Sequence, residues 1–559
     1  MKKVINRISL VLLAIGFLIS CDSDLTNTNI NPNGVSPETA NATLVVPNVI
    51  HSFTREYSNL GQRNAAGVAQ HMQEDSHYTG YNQHQWGPQD WNGFYNMLRD
   101  NDFVLSKAIE DDQELLEGIA LTMKSLIFGH ITDLWGDAPY SEALKARDTD
   151  PILTPAFDSQ EDIYRGILSD LQQAARLFES GNGLGNPGLA DLYFGGNSTR
   201  WYQFANSLIL RYAMRLSEKL PDLSRELISG VYNSGVYLRV ASEDVSIAFN
   251  EADPWHAAAI GTDPTDFRRR KFGNPLIDKL VEYNDPRLEV WVAPVHVQWV
   301  EDTTLPADQP VDPYIRRNGE MTTITSLTDE EFLEEIAAGN HFTRHFNPEH
   351  SNIQFDTRRY VGVIPGMIAP DTHNGNPTPG QQVQNQHVSQ MAEIFRLRNH
   401  ELLKSRIISA AEVSFILAEA AQRNWINADA EELYNNGVRQ ALEMWGVGDQ
   451  FDSYITTPGV AYNGTLEQLI EQKWIAAFTI ATEAWFDYRR TGYPELQAGP
   501  IVSEPVLPVR YMYGNHELTN NEANVNAALN RIETTPYSTT GANSSWSKPW
   551  LLQNTANPW

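Results

Sequence analysis

The sequence predicts a mainly α-helical protein whose helices pack in pairs, with a loop-rich region that contains short strands in the middle of the chain. Apolar residues recur at intervals of three and four positions in both halves of the chain, and this rhythm is lost between about residues 242 and 400. The 559 residues include 14 Trp, 22 Tyr and 21 Phe, far more aromatic side chains than a disordered acidic chain has. The chain is therefore expected to fold around a large apolar core.

Seven segments follow the helical rhythm closely enough to be predicted as helices. They are residues 92–109, 114–134, 160–178, 201–220, 409–424, 429–445 and 466–480. In the fifth and sixth of these, the small residues Ala418 and Ala421 let two helices approach, and the ring of Tyr434 fills the gap between pairs. This spacing is typical of tetratricopeptide helix pairs, so we expect helix pairs stacked as a partial solenoid scaffold.

The middle of the chain, about residues 242–400, has a different composition. Its apolar runs are short, Pro and Gly are frequent, and residues 288–300 form an aromatic-rich stretch. Such a pattern is typical of loops and short strands. We predict that this region is inserted into the helical body and does not form a domain of its own.

The N-terminus has the pattern of an export signal. The basic residues Lys2, Lys3 and Arg7 precede an apolar run of about a dozen residues, which is too short to span a bilayer as a stable helix. The run closes with Leu-Ile-Ser-Cys, in which Cys21 is the single cysteine of the chain. This ending resembles the lipobox of bacterial lipoproteins, in which the cysteine is acylated and becomes the first residue of the mature chain.

Three parts of the chain follow from this pattern. Residues 1–20 are predicted to be a lipoprotein signal peptide, and residues 21–37 a lipidated flexible linker, because they are polar, rich in Asn and without apolar periodicity. Residues 38–559 are predicted to form a single domain. Lipid at Cys21 is the expected means of membrane attachment.

The charge of the chain excludes some partners. Its 41 Lys and Arg face 70 Asp and Glu, a formal net charge of −29. Such a chain repels nucleic-acid phosphates and anionic membranes, so neither is an expected partner. The basic run at residues 268–271 is predicted to be a solvated or loop-capping patch. We expect neither a metal nor a cofactor, since phosphate-binding loops and zinc-protease helices are absent from the sequence.

Several segments, taken in order, resemble one family. They are the lipobox, residues 90–102 (DWNGFYNMLRDND), 134–140 (LWGDAPY), 411–425 (AEVSFILAEAAQRNW) and 483–494 (EAWFDYRRTGYP). Together they are similar to the SusD/RagB family of outer-membrane nutrient-binding lipoproteins. The resemblance implies a helical, tetratricopeptide-like scaffold that is exposed on the cell surface and caps a SusC-like TonB-dependent transporter. It also implies that the protein binds a nutrient and catalyses no reaction.

The candidate ligand-binding residues lie mainly in the loop EDSHYTGYNQHQWGP, residues 74–88. Aromatic rings on a polar loop can stack on the C–H faces of sugars, while amides and carboxylates bind the hydroxyl groups. The aromatic candidates are Tyr78, Tyr81 and Trp86, the polar candidates are Asp75, Gln83 and Gln85, and Trp255 and Trp299 are weaker candidates in the middle region. By contrast, Trp135, Tyr140, Trp425, Trp485 and Tyr488 lie on or beside helices and are expected to pack the scaffold.

The sequence leaves three alternatives to glycan capture. Two carboxylates about 5–10 Å apart in a cleft would suffice for glycoside hydrolysis, although the acidic residues mostly occupy the solvated faces of helices. A peptide binder of the same architecture is the main alternative. A scaffold or adhesin without a small ligand is the third.

Overall fold

The computed structural model describes residues 40–76, 79–181, 183–248, 269–352, 354–377, 379–380, 385–397 and 399–559. Residues Thr43–Trp559 form one compact unit. The predicted signal peptide, the linker and Cys21 lie outside the described residues.

Helices make up most of the regular structure, and they are numbered here in chain order. Their bounds are α1 Val46–Gln62, α2 Asn64–Val68, α3 Asn92–Glu110, α4 Glu114–Trp135, α5 Gln160–Ser180, α6 Ser198–Arg215, α7 Pro221–Ser234, α8 Asn274–Glu282, α9 Leu288–Trp291, α10 Asp329–Ala337, α11 Ala410–Gln422, α12 Ala430–Glu443, α13 Phe451–Tyr454, α14 Leu466–Ala476, α15 Ala481–Thr491, α16 Asn515–Asn520 and α17 Glu522–Leu529. All seven predicted helices are present, and the mainly helical fold class is confirmed.

Helix α1 was not predicted from the sequence, although it has the expected rhythm. Its buried residues include Val46, Val49, Phe53 and Tyr57. Polar residues separate these apolar positions and make the helix half apolar, half polar, as is normal for a helix on the edge of a core.

Side chains at the N-termini explain where several helices begin. Ser159 accepts a hydrogen bond from the Asp162 backbone N–H at the start of α5. Ser409 accepts one from the Glu412 backbone N–H at the start of α11. Asp429 accepts from the backbone N–H groups of residues 431 and 432 and starts α12. Such caps satisfy backbone donors that have no partner within the helix.

Consecutive helices pack against one another from α3 to α7 and again at α11 and α12. Glycines allow the close approaches: a Cβ atom on Gly129 of α4 would lie 2.3 Å from the Tyr212 hydroxyl, and one on Gly437 of α12 would lie 2.9 Å from the Phe415 ring. The Tyr434 ring packs on Phe415 at 5.9 Å. The predicted helix pair of residues 409–445 is therefore present.

Helix α4 is long and apolar enough to cross a membrane. However, 89% of its most apolar window is buried within the described protein. Helices α3, α5 and α6 pack around it. This helix is the centre of the scaffold.

The strands are short and form small sheets. They are β1 Met72–Glu74, β2 Pro88–Gln89, β3 Val245–Ala248, β4 Arg270–Phe272, β5 Gln298–Glu301, β6 Arg316–Arg317, β7 Glu320–Met321, β8 Phe342–Phe346, β9 Lys404–Ile408 and β10 Met512–Tyr513. Strands β1 and β4 pair antiparallel, β2 and β10 pair parallel, β3 and β9 pair antiparallel, and β5, β8, β6 and β7 form a four-stranded sheet in that order. Most strands lie in the middle region, as predicted for short strands among loops.

A cluster of buried charges joins the central helices. Arg211 of α6 donates from Nε and Nη2 to both carboxylate oxygens of Glu412 of α11, each at 2.7 Å. Arg215, one turn further along α6, pairs with Glu483 of α15, and its Nε lies 3.4 Å from the Asp133 carboxylate of α4. All five side chains are buried. Because the opposite charges lie close together, the cost of removing each from water is offset by its partners.

The arginines keep the central carboxylate of this cluster ionised. Burial raises the pKa of Glu483, but Arg211 and Arg215 lower it more, and the resulting pKa is about 2. The Tyr57 hydroxyl of α1 also donates to this carboxylate, at 2.9 Å. Glu483 is therefore charged at neutral pH and holds α1, α6 and α15 together.

A second buried cluster lies further along α15. Arg490 donates to both carboxylate oxygens of Glu419 of α11, at 2.6 and 2.7 Å. The Lys473 ammonium of α14 lies 2.7 Å from the Asp487 carboxylate of α15. The two clusters together attach α15 to α1, α6, α11 and α14.

Glu483→Gln is expected to lower the free energy of unfolding by about 3–5 kcal/mol, because it leaves two buried guanidinium groups with too little negative charge. Urea unfolding followed by circular dichroism would measure the change. The control is Glu334→Gln on the exposed surface of α10, which is expected to change stability by less than about 0.5 kcal/mol. Equal stability of the two variants would contradict the role given to Glu483.

Candidate functional site

The candidate site is a surface formed by three loops, residues 79–90, 362–370 and 497–505, which we call the three-loop surface. Gln85 Nε2 of the first loop donates to Ser503 Oγ of the third at 2.7 Å. The Ile501 N–H of the third loop donates to the Gly366 carbonyl of the second at 2.9 Å. The three loops are therefore joined directly, although they are far apart in the sequence.

Gly366 and Gly499 make this junction possible. Gly366 has φ of +60°, and a Cβ atom on it would lie 2.7 Å from the Gly499 Cα atom. A side chain at position 366 would therefore be strained in conformation and would also clash. The Gly366 N–H donates to Gln73 Oε1 of β1 at 3.2 Å, which joins the second loop to β1.

Asn82 fixes the first loop to the body. Its Oδ1 accepts from the Glu74 N–H at 2.9 Å, and its Nδ2 donates to the Glu74 carbonyl at 2.8 Å. The side chain is fully buried. This amide makes the hydrogen bonds to β1 that a neighbouring strand would make. Asn82 is not among the site residues predicted from the sequence.

Trp86 lies near the end of the first loop and is half-buried. Its ring contacts Tyr511 at 5.0 Å and Trp485 of α15 at 5.4 Å, both edge to face. Its Nε1 is buried and donates no hydrogen bond within the described residues. The ring is thus held by an aromatic cluster, and the residue as a whole is partly exposed at the three-loop surface.

The surroundings of Trp86 are both polar and apolar. Gln85 is exposed, and Gln83 is half-buried with its Oε1 accepting from the Gly80 N–H at 3.3 Å. In the second loop, Ile364 and Ile368 are exposed to 46% and 64%. An amide, a hydroxyl, a ring and apolar side chains are therefore available on one surface.

Tyr81 does not form an open aromatic platform, contrary to the sequence prediction. Its ring packs so closely on α2 that a Cβ atom on Gly67 would lie 3.0 Å from it. The Arg270 guanidinium lies 5.8 Å from the ring centre, and the hydroxyl is buried. Burial raises the pKa of the Tyr81 phenol. Tyr81 supports the loop from beneath.

Asp75 also faces the interior and does not belong to a polar rim. It is buried, and the buried Lys271 ammonium lies 3.6 Å from its carboxylate. Burial raises its pKa to about 6, an effect that Lys271 opposes. Strand β4 explains this arrangement, because it pairs Gln73 with Lys271 and Glu74 with Arg270.

The described part of the basic run, residues 269–271, is therefore not simply a solvated patch, and Arg268 lies outside the described residues. Arg270 and Lys271 are buried, and the Glu74 carboxylate lies 3.4 Å from Arg269 and 3.7 Å from Arg270. Glu74 of β1 and Asp75, the residue after the strand, pair with these basic groups.

Trp299 is a core residue and not the ligand-contact residue that the sequence predicted. It is 2% exposed and its Nε1 donates to the Asn374 carbonyl at 2.8 Å. Its ring stacks on Phe355 at 4.0 Å and on His387 at 4.4 Å. A ligand cannot stack on a ring that is enclosed in this way.

Two further candidates, Tyr78 and Trp255, lie outside the described residues. Of the aromatic residues expected to pack the scaffold, Trp135, Trp485 and Tyr488 are buried, and Tyr140 and Trp425 are half-buried. The described ranges contain no group of three or more metal-ligating side chains. The three-loop surface offers groups for stacking and for hydrogen bonding.

The comparisons with known proteins identify the family. A SusD-like family model, described as "Starch-binding associating with outer membrane", matches residues 32–304 and 356–514. This match covers most of the chain, so the protein belongs to the SusD-like family, as the resemblance of its segments predicted. No curated protein matches the sequence significantly.

Solved structures share the fold. A chitin-binding protein is 23% identical with a TM-score of 0.68, over 93% of this chain and 100% of that one. A SusD homologue from Bacteroides fragilis is 19% identical with a TM-score of 0.68, over 92% and 100%. A chitin-binding SusD homologue from Flavobacterium johnsoniae is 19% identical with a TM-score of 0.65, over 91% and 99%. At such low identity these similarities establish the fold alone.

Trp299→Ala is expected to lower the free energy of unfolding by about 3–5 kcal/mol, because it leaves a large cavity among Phe355 and His387. Chemical unfolding would measure this loss. Ligand affinity under conditions where the variant is folded is expected to be unchanged. Weaker binding with unchanged stability would indicate that Trp299 contacts the ligand.

Proposed function

We propose that this protein is a lipid-anchored protein of the outer-membrane surface that captures an oligosaccharide or polysaccharide and delivers it to a SusC-like TonB-dependent transporter. Membership of a family described as starch-binding and outer-membrane-associated supports this proposal. The signal-peptide pattern that ends at Cys21 supports the anchor. The protein binds its ligand and releases it unchanged.

The observation that supports glycan capture most directly is the position of Trp86. A tryptophan held by Trp485 and Tyr511 loses little conformational entropy when a ligand stacks on it. The Gln85 amide and the Ser503 hydroxyl lie next to it, bonded to each other at 2.7 Å. Both are neutral groups that exchange hydrogen bonds readily with sugar hydroxyls.

An oligopeptide ligand is the alternative. The exposed Ile364 and Ile368 favour it, since they would contact apolar side chains of a peptide. Glycans gain less from such aliphatic contacts than from a ring. The two ligands can be separated by direct titration.

Isothermal titration of the soluble form that begins at Asp22 would test the ligand class. The panel consists of starch and chitin oligosaccharides, other polysaccharides and a tryptic peptide pool. Saturable binding to a glycan supports the proposal, and binding to peptides alone would support the oligopeptide alternative. Turnover of a bound oligosaccharide would contradict the absence of catalysis.

Trp86→Ala is expected to weaken binding of the identified glycan at least tenfold, because the stacking surface is lost. Some loss of thermal stability is also expected, since the ring contacts Trp485 and Tyr511. The matched control is Trp550→Ala, which removes a half-buried tryptophan that packs on Lys219. An affinity equal to that of the control would move the site away from Trp86.

Purification of the tagged full-length chain from membranes is expected to recover a large outer-membrane barrel protein. In Cys21→Ala, which cannot be acylated, the chain is expected to leave the membrane fraction. Mass spectrometry of the recovered proteins identifies the partner. Repeated recovery of the anchored chain without any barrel would contradict the transporter partnership.

A further inference from the structure

A second groove lies on the helical scaffold, outside the three-loop surface, with a volume of about 360 Å³. Helix α6 contributes Tyr202, Asn206 and Ile209, whose spacing of four and three residues places them on one face. Helices α5 and α7 pack on either side of α6 and form the two walls. The volume is within the range of roughly 300–1,000 Å³ that is usual for small-molecule sites.

The floor of this groove is mainly apolar. Ala175 of α5, Ile209 of α6, and Leu227 and Val231 of α7 line it and are buried. Asn206 is also buried there, with its Nδ2 donating to the Val236 carbonyl at 2.8 Å. The amide is thus held in a fixed orientation.

The rim is polar and has little net charge. Gln172 and Arg176 of α5 face Glu226 and Ser234 of α7, and all four are exposed. One guanidinium and one carboxylate balance each other. An anionic ligand therefore gains nothing from the lining as a whole.

Tyr202 adds a half-buried ring to the groove. Burial and the nearby Glu179 carboxylate raise the pKa of its phenol. The hydroxyl is therefore protonated at neutral pH and can donate a hydrogen bond. The groove combines a ring, an apolar floor and neutral hydrogen-bonding groups.

Gly230 of α7 keeps the groove open. Several other glycines inside helices are explained by a side chain pressed against them, as Gly118 is by Phe178 and Gly166 by Tyr140. A Cβ atom on Gly230 would meet nothing within 4 Å. A glycine within a helix costs about 1 kcal/mol relative to alanine, and here no packing contact requires it. Its effect is to leave space at the groove wall.

We propose that this groove is a second carbohydrate site, which binds a neutral sugar unit against Tyr202 and the apolar floor. The ligand class rests on the proposed function, whereas the location rests on the groove itself. A neutral pyranose has apolar C–H faces and a rim of hydroxyls, which match the floor and the rim. Two separate sites on one chain would increase the retention of long polysaccharides relative to short ones.

Hydrogen exchange of the chain beginning at Asp22, with maltoheptaose and with chitohexaose as probes, would test this site. We expect protection of residues 202–209 and 226–234 in addition to that of residues 79–90. Gly230→Trp fills the groove, and it is expected to abolish protection at the groove while residues 79–90 remain protected. A thermal midpoint near that of the wild type would verify folding of the variant.

The control is Arg225→Trp, which adds the same ring to the opposite face of α7, where Arg225 is exposed. It is expected to retain protection at both sites. Protection of residues 79–90 alone in the wild-type protein would overturn the second site and leave the proposed function standing. Absence of protection at both places would overturn both proposals for these sugars.

Discussion

The buried charges around α15 are the constraint on which the arrangement of this protein depends. Glu483 can remain ionised in the interior only because Arg211 and Arg215 lie beside it. A helix that shifted along its axis by one turn would separate these partners and leave charges unpaired in a medium of low polarity, at a cost of several kcal/mol. The charges thus select one packing of the helices among many that would bury similar apolar area.

The same helix sets the position of the candidate site. Trp485 follows Glu483 by two residues and contacts the Trp86 ring. Arg489, on the next turn, donates to the Val509 carbonyl at 2.6 Å and so fixes the segment that leads to Tyr511. The position of the surface around Trp86 therefore depends on the buried charges around α15 as well as on the three loops.

The helices could be predicted because each contains its own signal. Periodicity in residues 114–134 or 409–424 is local, whereas the partners of buried charges are not. Glu412 and Glu483 look like ordinary helical carboxylates in the sequence, and the fact that Arg211 lies beside both follows only from packing. The segment 483–494 was recognisable by its resemblance, but the resemblance does not reveal that its acidic and basic residues are buried.

The candidate site, too, could be predicted from the sequence only in part. Trp86 could be found because an aromatic residue on a polar loop is a local anomaly. Asp75 and Tyr81 were misplaced because Lys271 and Arg270, which pair with or pack on them, come from a strand about 200 residues later. The loops at 362–370 and 497–505 have no local sequence signal, and only the folded chain brings them to residues 79–90.

The contacts between the two ends of the chain have a consequence for export. Tyr57 bonds to Glu483, Trp91 Nε1 donates to Glu517 at 3.1 Å, and Trp135 Nε1 donates to the Met512 carbonyl at 3.1 Å. The first helices therefore lack essential partners until nearly the whole chain has been synthesised. Contacts between such distant residues form slowly, because long loops must close first. Late folding would keep the chain open to a secretion machinery, which fits the export signal proposed for residues 1–20.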